Sequence, residues 1–263
     1  MPFISLTTDF GGSGGVMRGV IWNICPQAHI ADLTHTVPPQ DVYLATWLID
    51  QQVYYYPKGS VHIVVVDPGV GTQRRPIAVQ ANGYYFVGPD NGVFSSVYQR
   101  AEKLGWQLKV VHTNNPKYWL PNISNIFHGR DIFSPVGAHL ANGVKLEELG
   151  DVIDDPVRIE LPQPVIGKDQ VKGEVILLYP YLGNIISNIH QDMLPEIEDP
   201  EKVEVTIGDR TIHGLSRTFG EHPTGTLIAL IGSTGLLMVA VVNGSAVDLL
   251  KPSMGEKVSI SFR

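Results

Sequence analysis

Residues 61–75 read Val-His-Ile-Val-Val-Val-Asp-Pro-Gly-Val-Gly-Thr-Gln-Arg-Arg, and this stretch predicts both the fold class and the place of a site. Residues 61–66 form a short, nearly continuous apolar run, which is typical of a strand covered on both faces. The turn formers Asp67-Pro68-Gly69 end that strand, and Arg74 follows. Ligands in open α/β sheets bind beyond the carboxyl ends of the strands, so Asp67 is expected beside a ligand. A purely structural interpretation, in which Asp67 caps its own turn and pairs with Arg74, also stays open here.

Strands and helices alternate on the N-terminal side of this run. Residues 3–8 predict a strand, and the apolar periodicity of residues 17–24 predicts a helix after a glycine-rich loop. Residues 29–33 predict a second strand, and Asp41 is placed to cap a second helix. This alternation is typical of right-handed βαβ units with a parallel sheet.

The pattern changes downstream of residue 76. Asn82-Gly83 lies between two short apolar runs and predicts a β-hairpin. Beyond a segment rich in Pro and Asp, only short strands are apparent, as in a small barrel or sandwich. The predicted fold class is therefore α/β, with an N-terminal layered domain over residues 1–155 and a central, mostly parallel sheet. A linker is predicted over 156–169, and a smaller all-β, barrel-like C-terminal domain over 170–263.

Composition excludes several classes of protein. The formal net charge of -7 and the lack of a basic run argue against nucleic acid or an anionic membrane as a partner. No apolar stretch reaches about 18 residues, and no basic segment followed by an apolar one opens the chain, so a cytoplasmic protein is expected. The single cysteine, Cys25, excludes an internal disulfide and is interpreted as core packing inside a helix.

Polar side chains are predicted together at the strand exits. They are Asp9, Asp32, His35, Asp67, Arg74, Asp90 and His128. One hypothesis is a metal-dependent phosphohydrolase, in which Mg²⁺ or Mn²⁺, ions that favour oxygen ligands, is coordinated by Asp9, Asp32, His35, Asp67 and Asp90. Against it, Arg74 and Arg75 would repel a cation beside Asp67, and no spacing among these residues is diagnostic of a metal site.

Five motifs in order along the chain carry a family resemblance. They are Thr7-Thr8-Asp9-Phe10-Gly11, Asp67-Pro68-Gly69-Val70-Gly71-Thr72 with Arg74-Arg75, Pro89-Asp90-Asn91-Gly92, Phe127-His128-Gly129-Arg130-Asp131, and Gly183-Asn184 with Ser187-Asn188-Ile189. With these motifs, essentially the whole chain resembles the S-adenosylmethionine (SAM) hydroxide adenosyltransferases. These are adenosine-forming SAM hydrolases, related to the fluorinating and chlorinating enzymes. The halogenating relatives carry Tyr in place of the motif's Asp and Tyr-Ser in place of His-Gly, so Asp67 and His128 resemble the hydrolytic branch.

The resemblance implies hydrolysis of SAM to adenosine and methionine, by attack of a water-derived hydroxide on the ribose 5′ carbon. SAM is then the substrate and not a cofactor. Because its sulfonium is already a good leaving group, neither a metal nor another cofactor is expected. The main task is to present a desolvated oxygen in line with the C–S bond. By motif position, Asp67, Arg74 and His128 hold the water, and either Asp67 or His128 takes its proton.

The resemblance also implies a homotrimer, with each ligand between the N-terminal domain of one subunit and the C-terminal domain of its neighbour. Asp9 matches the acid at the ribose hydroxyls, Asn184 matches the adenine-site asparagine, and Phe127 and Tyr181 are candidates to line the adenine slot. The full set of predicted substrate-binding residues is Asp9, Phe127, Gly129, Tyr181, Asn184, Ser233 and Asn243.

The chain departs from the family pattern at the methionine end. Relatives usually carry an aspartate shortly before the Gly-Asn pair, whereas residues 178–183 read Leu-Tyr-Pro-Tyr-Leu-Gly. Halogenating relatives also carry Trp at the position of Gln40 and Arg at that of Thr234. These departures predict either weaker affinity for SAM or preference for another 5′-substituted adenosine. The remaining alternative to a hydrolase is a non-catalytic protein that binds a nucleoside or SAM.

Overall fold

The computed structural model describes residues 1–179, 181–197 and 199–262. The chain divides into two compact units between Leu161 and Pro162. This division falls inside the segment predicted as a linker, 156–169. The two units are described separately below.

The N-terminal unit is built on a seven-stranded mixed sheet with the strand order β2-β1-β3-β5-β4-β6-β7. Its elements are β1 (Phe3–Thr8), α1 (Gly15–Ile24), β2 (His29–Thr34), α2 (Val42–Gln52), β3 (Val61–Val65), β4 (Pro76–Ala81), β5 (Tyr84–Pro89), α3 (Ser95–Leu104), β6 (Leu108–His112), α4 (Ser134–Ala141) and β7 (Asp151–Ile153). Strands β2, β1, β3 and β5 are parallel, and the pairs from β5 through β4 and β6 to β7 are antiparallel. The predicted α/β class is confirmed.

Helices cover both faces of this sheet, which explains the continuous apolar run in β3. Ile63 packs into the cluster formed with α1 and α4, and its neighbour Val64 packs into the cluster formed with α2 and α3. Both side chains are 0% exposed. Since opposite faces receive alternate residues, a strand buried on both faces shows no polar alternation.

Two local signals act as the sequence predicts. The Asp41 side chain accepts a hydrogen bond from the Leu44 amide at 2.8 Å and caps α2. Asn82 and Gly83 both have positive φ, 48° and 83°, as a two-residue hairpin turn requires. Cys25 is buried in the core as expected, although it lies just after α1 and not inside it.

The C-terminal unit contains an antiparallel, nearly closed barrel, which confirms the predicted barrel-like fold. Its elements are β8 (Val165–Ile166), β9 (Gln170–Tyr179), β10 (Asn184–His190), β11 (Val203–Ile207), β12 (Arg210–His213), β13 (Leu227–Ile231), β14 (Leu236–Val241), α5 (Ala246–Leu250) and β15 (Lys257–Phe262). The strand order is β12-β11-β15-β9-β10-β14-β13, with β8 paired to β9. The Ser216 amide donates to the Ala229 carbonyl at 2.8 Å, which draws the segment after β12 toward β13 and nearly closes the ring.

The expectation that only strands follow the linker is wrong at α5. The Ser245 side chain accepts from the Asp248 amide and starts this helix, and the chain reaches Pro252 soon after it ends. Five residues are too few to show a helical periodicity in the sequence. Among the described residues, no helix combines the length and the hydropathy needed to cross a membrane.

Candidate active site

The loop after β3 folds back so that Arg74 meets Asp67. Arg74 Nε donates to Asp67 Oδ1 at 3.0 Å, and Arg74 Nη2 donates to Asp67 Oδ2. Both side chains are only 5% exposed. The Phe133 ring covers the guanidinium, with its centroid 5.2 Å from Arg74 Cζ. A buried cation is therefore neutralised in the fork geometry that arginine and carboxylate favour.

Gly71 lets this loop pack against the segment that leads to His128. It has a φ of +76°, and a Cβ at this position would overlap the Asn125 carbonyl oxygen. Only glycine meets both requirements without strain. The motif glycine therefore brings two distant loops together.

His128 completes the cluster through Arg74. Arg74 Nη2 and His128 Nδ1 are 3.0 Å apart, and an arginine N–H can only donate, so Nδ1 accepts. Burial, and then the charge of Arg74, lower the pKa of His128, while Asp67 acts in the opposite direction. The imidazole is therefore neutral near pH 7, and its proton lies on Nε2. The structure thus brings the three predicted catalytic residues into contact.

A count of donors on Arg74 shows where this cluster is incomplete. Nε and the two hydrogens of Nη2 are used by Asp67 and His128. Nη1 is buried and has no hydrogen-bond partner among the described residues. Buried N–H groups are almost always paired, so Nη1 is the group from which a bound acceptor would receive a hydrogen bond.

Asp131 anchors the segment before His128. It is fully buried, accepts from the Ser124 amide at 2.8 Å, and receives Arg130 Nε at 2.6 Å. Burial alone would raise the pKa of Asp131, but the hydrogen bonds from Arg130 and Ser124 outweigh it and hold the pKa below its usual value. The motif contained Asp131, but sequence reasoning gave it no role.

Aromatic side chains lie beside the cluster. The rings of Phe10 and Phe127 meet edge to face at 5.5 Å. A Cβ on Gly129 would lie 3.2 Å from both Phe10 and Val65, so glycine allows a close approach at the turn after His128. Gly129–Phe133 is a π-helical turn that precedes α4, a feature frequent at functional sites. Phe10 is 39% exposed and was missed as a site residue, although it follows Asp9.

Asp9 is held by the backbone of a second loop. Its Oδ2 accepts from the Gln40 amide at 2.8 Å. Gln40 adopts a φ of +66°, which is unusual for a residue other than glycine and is a form of local strain found near functional sites. The contact uses a main-chain donor, so no side-chain signal could have revealed it.

The predicted contacts in the C-terminal unit lie at two ends of one strand pair. Since β10 and β14 run antiparallel, Asn184 and Asn243 lie at the same end of the pair. Ser233 lies in the turn before β14, at the other end, and β14 is about 17 Å long by its strand rise. Asn243 donates to a threonine hydroxyl at 2.9 Å, and Tyr181 is 94% exposed.

The remaining polar residues predicted at the strand exits form separate groups. Arg75 Nε donates to Asp90 Oδ2 at 2.8 Å, and Arg18 pairs with Asp32, which lies 3.2 Å from His35. The described part of the chain contains no group of three His, Cys, Asp or Glu side chains that could hold a metal ion.

Comparisons with known proteins identify the family. Residues 4–150 match the model of the SAM hydroxide adenosyltransferase N-terminal domain, and residues 173–259 match the model of its C-terminal domain. The (R)-S-adenosyl-L-methionine hydrolase of Salinispora arenicola is 36% identical over 265 residues, covering 99% of this chain and 98% of that protein. The enzyme of the same name from Thermus thermophilus is 36% identical over 259 residues, covering 96% and 97%.

A solved structure agrees over the same extent. The crystal structure of an uncharacterized conserved protein from Thermotoga maritima is similar with a TM-score of 0.89 and 35% identity, covering 98% of this chain and 99% of that one. The sequence resemblance, the motif residues and the fold all indicate the same family. The chain therefore belongs to the SAM hydroxide adenosyltransferase family.

Proposed function

We propose that this protein hydrolyses SAM to adenosine and methionine. The relatives named (R)-S-adenosyl-L-methionine hydrolase match the full length of the chain. The observation that carries the proposal is Arg74 Nη1, which is buried beside Asp67 and His128 and has no hydrogen-bond partner among the residues that the structure describes. A donor of this kind suits the hydroxide character that a bound water develops as its proton is removed.

The reaction balances without a cofactor. The water oxygen forms a bond to the ribose 5′ carbon while the C5′–S bond breaks. The electron pair of the C5′–S bond passes to sulfur. The sulfonium becomes the neutral thioether of methionine, the nucleoside gains a 5′ hydroxyl, and one proton is released. Holding the water in line with the C–S bond is the main contribution asked of the protein.

The three residues then take different roles. Arg74 Nη1 donates to the attacking oxygen, and His128 Nε2–H is a second donor. Asp67 keeps one free lone pair on each carboxylate oxygen, whereas the Nδ1 lone pair of His128 is occupied by Arg74. We therefore assign Asp67 as the proton acceptor, a role typically worth about 10²- to 10⁴-fold in rate.

Substrate binding completes the proposal. The Asp9 carboxylate accepts the ribose hydroxyls, Phe127 and Gly129 shape the site beside them, and Tyr181, Asn184, Ser233 and Asn243 contact the adenine and methionine ends. We also propose a cytoplasmic homotrimer; the free cysteine, Cys25, fits a reducing compartment. Light scattering should give three times the mass of one chain.

Turnover in ¹⁸O-labelled water, with and without EDTA, tests the reaction. We expect equal amounts of adenosine and methionine, the label in adenosine, and no effect of EDTA. Arg74→Met should reduce turnover by about 100-fold or more, whereas the exposed control Arg217→Gln should not. Label in methionine, a need for added metal, or full activity of Arg74→Met would contradict the proposal.

Calorimetry with adenosine separates binding from chemistry. Asp67→Ala and His128→Ala should lose turnover but still bind adenosine, because neither residue is assigned to the nucleoside. In Asp9→Ala the main loss should be in adenosine binding. These assignments would be rejected if Asp67→Ala and His128→Ala lost adenosine binding while Asp9→Ala kept it.

A further inference from the structure

His35 contacts the loop 9–14 at its two ends and in its middle. The buried imidazole has Nδ1 at 2.8 Å from Thr8 Oγ1, and Nε2 accepts from the Gly14 amide at 3.0 Å. The His35 carbonyl accepts from the Gly11 amide at 2.8 Å. One residue outside the loop therefore holds the chain just before Asp9 and just before α1.

The packing around the ring is close. A Cβ on Gly14 would lie 2.6 Å from His35 Cε1, so a larger residue would displace the ring. Gly14 precedes α1, and no side chain of the described residues caps the N-terminus of this helix. Thr8 Oγ1 also receives the Phe10 amide at 3.3 Å, which extends the same network to the residue after Asp9.

These contacts define the tautomer of His35. The Gly14 N–H can only donate, so Nε2 accepts and the ring proton lies on Nδ1, which donates to Thr8 Oγ1. Asp32 Oδ1 lies 3.2 Å from Nε2, and the Arg18 guanidinium is paired with Asp32. That cation offsets the carboxylate charge beside an accepting nitrogen.

We propose that His35 is a positioning residue for the Asp9 carboxylate, and the inference rests on the role of Asp9 in the proposed function. His35 fixes the backbone of the loop that begins at Asp9, while the Gln40 amide fixes one carboxylate oxygen. The carboxylate is then already oriented before the ribose hydroxyls bind. Because no further ordering of this side chain is needed on binding, its entropy cost does not weaken the affinity. His35 makes no contact with Arg74 or His128 among the described hydrogen bonds, and therefore acts on nucleoside binding and not on the nucleophile.

Steady-state kinetics and calorimetry on His35→Ala, His35→Gln and the neighbouring control Thr34→Ala test this role. His35→Ala should raise KM for SAM on the order of 10-fold with kcat nearly unchanged, as expected when uniform binding is lost. His35→Ala should also reduce the ratio of the affinity for adenosine to the affinity for 2′,3′-dideoxyadenosine. His35→Gln should recover much of both, because its Oε1 can accept from the Gly14 amide, and Thr34→Ala should match the wild type.

Other outcomes separate this inference from the proposed function. If Asp9→Ala binds adenosine as well as the wild type, the assignment of Asp9 fails and the inference fails with it. If Asp9→Ala loses binding while His35→Ala keeps its affinity and its ribose preference, only the role of His35 is overturned. A fall in kcat without a rise in KM also overturns it.

A measurement on the wild-type protein covers the case in which His35→Ala does not fold. The ¹⁵N chemical shifts of the imidazole should show a protonated Nδ1 and an unprotonated Nε2. Protonation of Nε2 would remove the hydrogen bond from Gly14 and overturn the arrangement on which the inference depends.

Discussion

Replacing Arg74 with methionine should destabilise the N-terminal unit strongly, because it leaves a buried carboxylate without its cation. Asp67 is 5% exposed and receives two hydrogen bonds from Arg74. Breaking a buried pair by removing one partner typically costs about 3–5 kcal/mol. A Coulomb energy of about 4 kcal/mol, for charges roughly 4 Å apart at an effective dielectric constant of about 20, falls in the same range.

A double-mutant cycle isolates the interaction. Asp67→Asn removes the other charge, and the double variant Arg74→Met/Asp67→Asn contains neither. The double variant should be more stable than the sum of the single effects predicts, by about 2 kcal/mol or more. All three variants should have strongly reduced turnover, so the double variant would recover stability without recovering turnover.

Urea unfolding followed by tryptophan fluorescence is the suitable assay. The four tryptophans are Trp22, Trp47, Trp106 and Trp119. All of them lie in the unit that ends at Leu161, so the signal reports that unit alone. Additive single effects, within about 0.5 kcal/mol, would refute the view that Arg74 and Asp67 stabilise each other.

Three further predictions concern pH and loop packing. Burial lowers the pKa of His62 to about 3, so the folded protein binds fewer protons than the unfolded chain between that pH and about 6.5. The free energy of unfolding should fall by up to roughly 1.4 kcal/mol per pH unit as pH drops through this window. Measured by urea unfolding, this dependence on pH should be shallower in Ser5→Ala/His62→Phe than in Ser5→Ala. Equal dependence on pH in the two variants would contradict the prediction. Burial and the charge of Arg74 lower the pKa of His128, so protonation of His128 should reduce kcat in a step with its midpoint below pH 6.5. That step should be missing from the pH–rate profile of the residual activity of His128→Gln, and finding it there would contradict the role of His128. Gly71→Ala should cost about 1–2 kcal/mol in unfolding free energy and reduce turnover, because it strains a positive φ and displaces the Asn125 carbonyl. Gly12→Ala should do neither, because the added Cβ would have no atom of the described residues within 4 Å.

Much of the fold could be predicted from local patterns. The run 61–66, the Asn82-Gly83 turn and the Asp41 cap each act through neighbours in sequence, and each formed the expected element. The short helix α5 and the π-helical turn Gly129–Phe133 were not predicted. A short helix shows too little periodicity, and a π-helical turn depends on packing that no local pattern reports.

The candidate site was predicted in part. Motif positions named Asp67, Arg74 and His128, and the structure places them in contact. The role of Asp131 as an anchor was not predicted, because the Ser124 amide that it binds carries no signal in the sequence. The hold of Gln40 on Asp9 was missed for the same reason.

By itself, the sequence determined the α/β class, the barrel-like C-terminal unit and the order of the family motifs. These follow from apolar periodicity, turn chemistry and residue identity, which are local properties of the chain. Only the tertiary structure decided that Arg74 reaches His128, 54 positions away, and that Arg74 Nη1 has no partner in the described part of the chain. A hydrogen bond between distant residues depends on where the strands and loops bring the chain together, so the direction in which each donor points appears only in the folded protein.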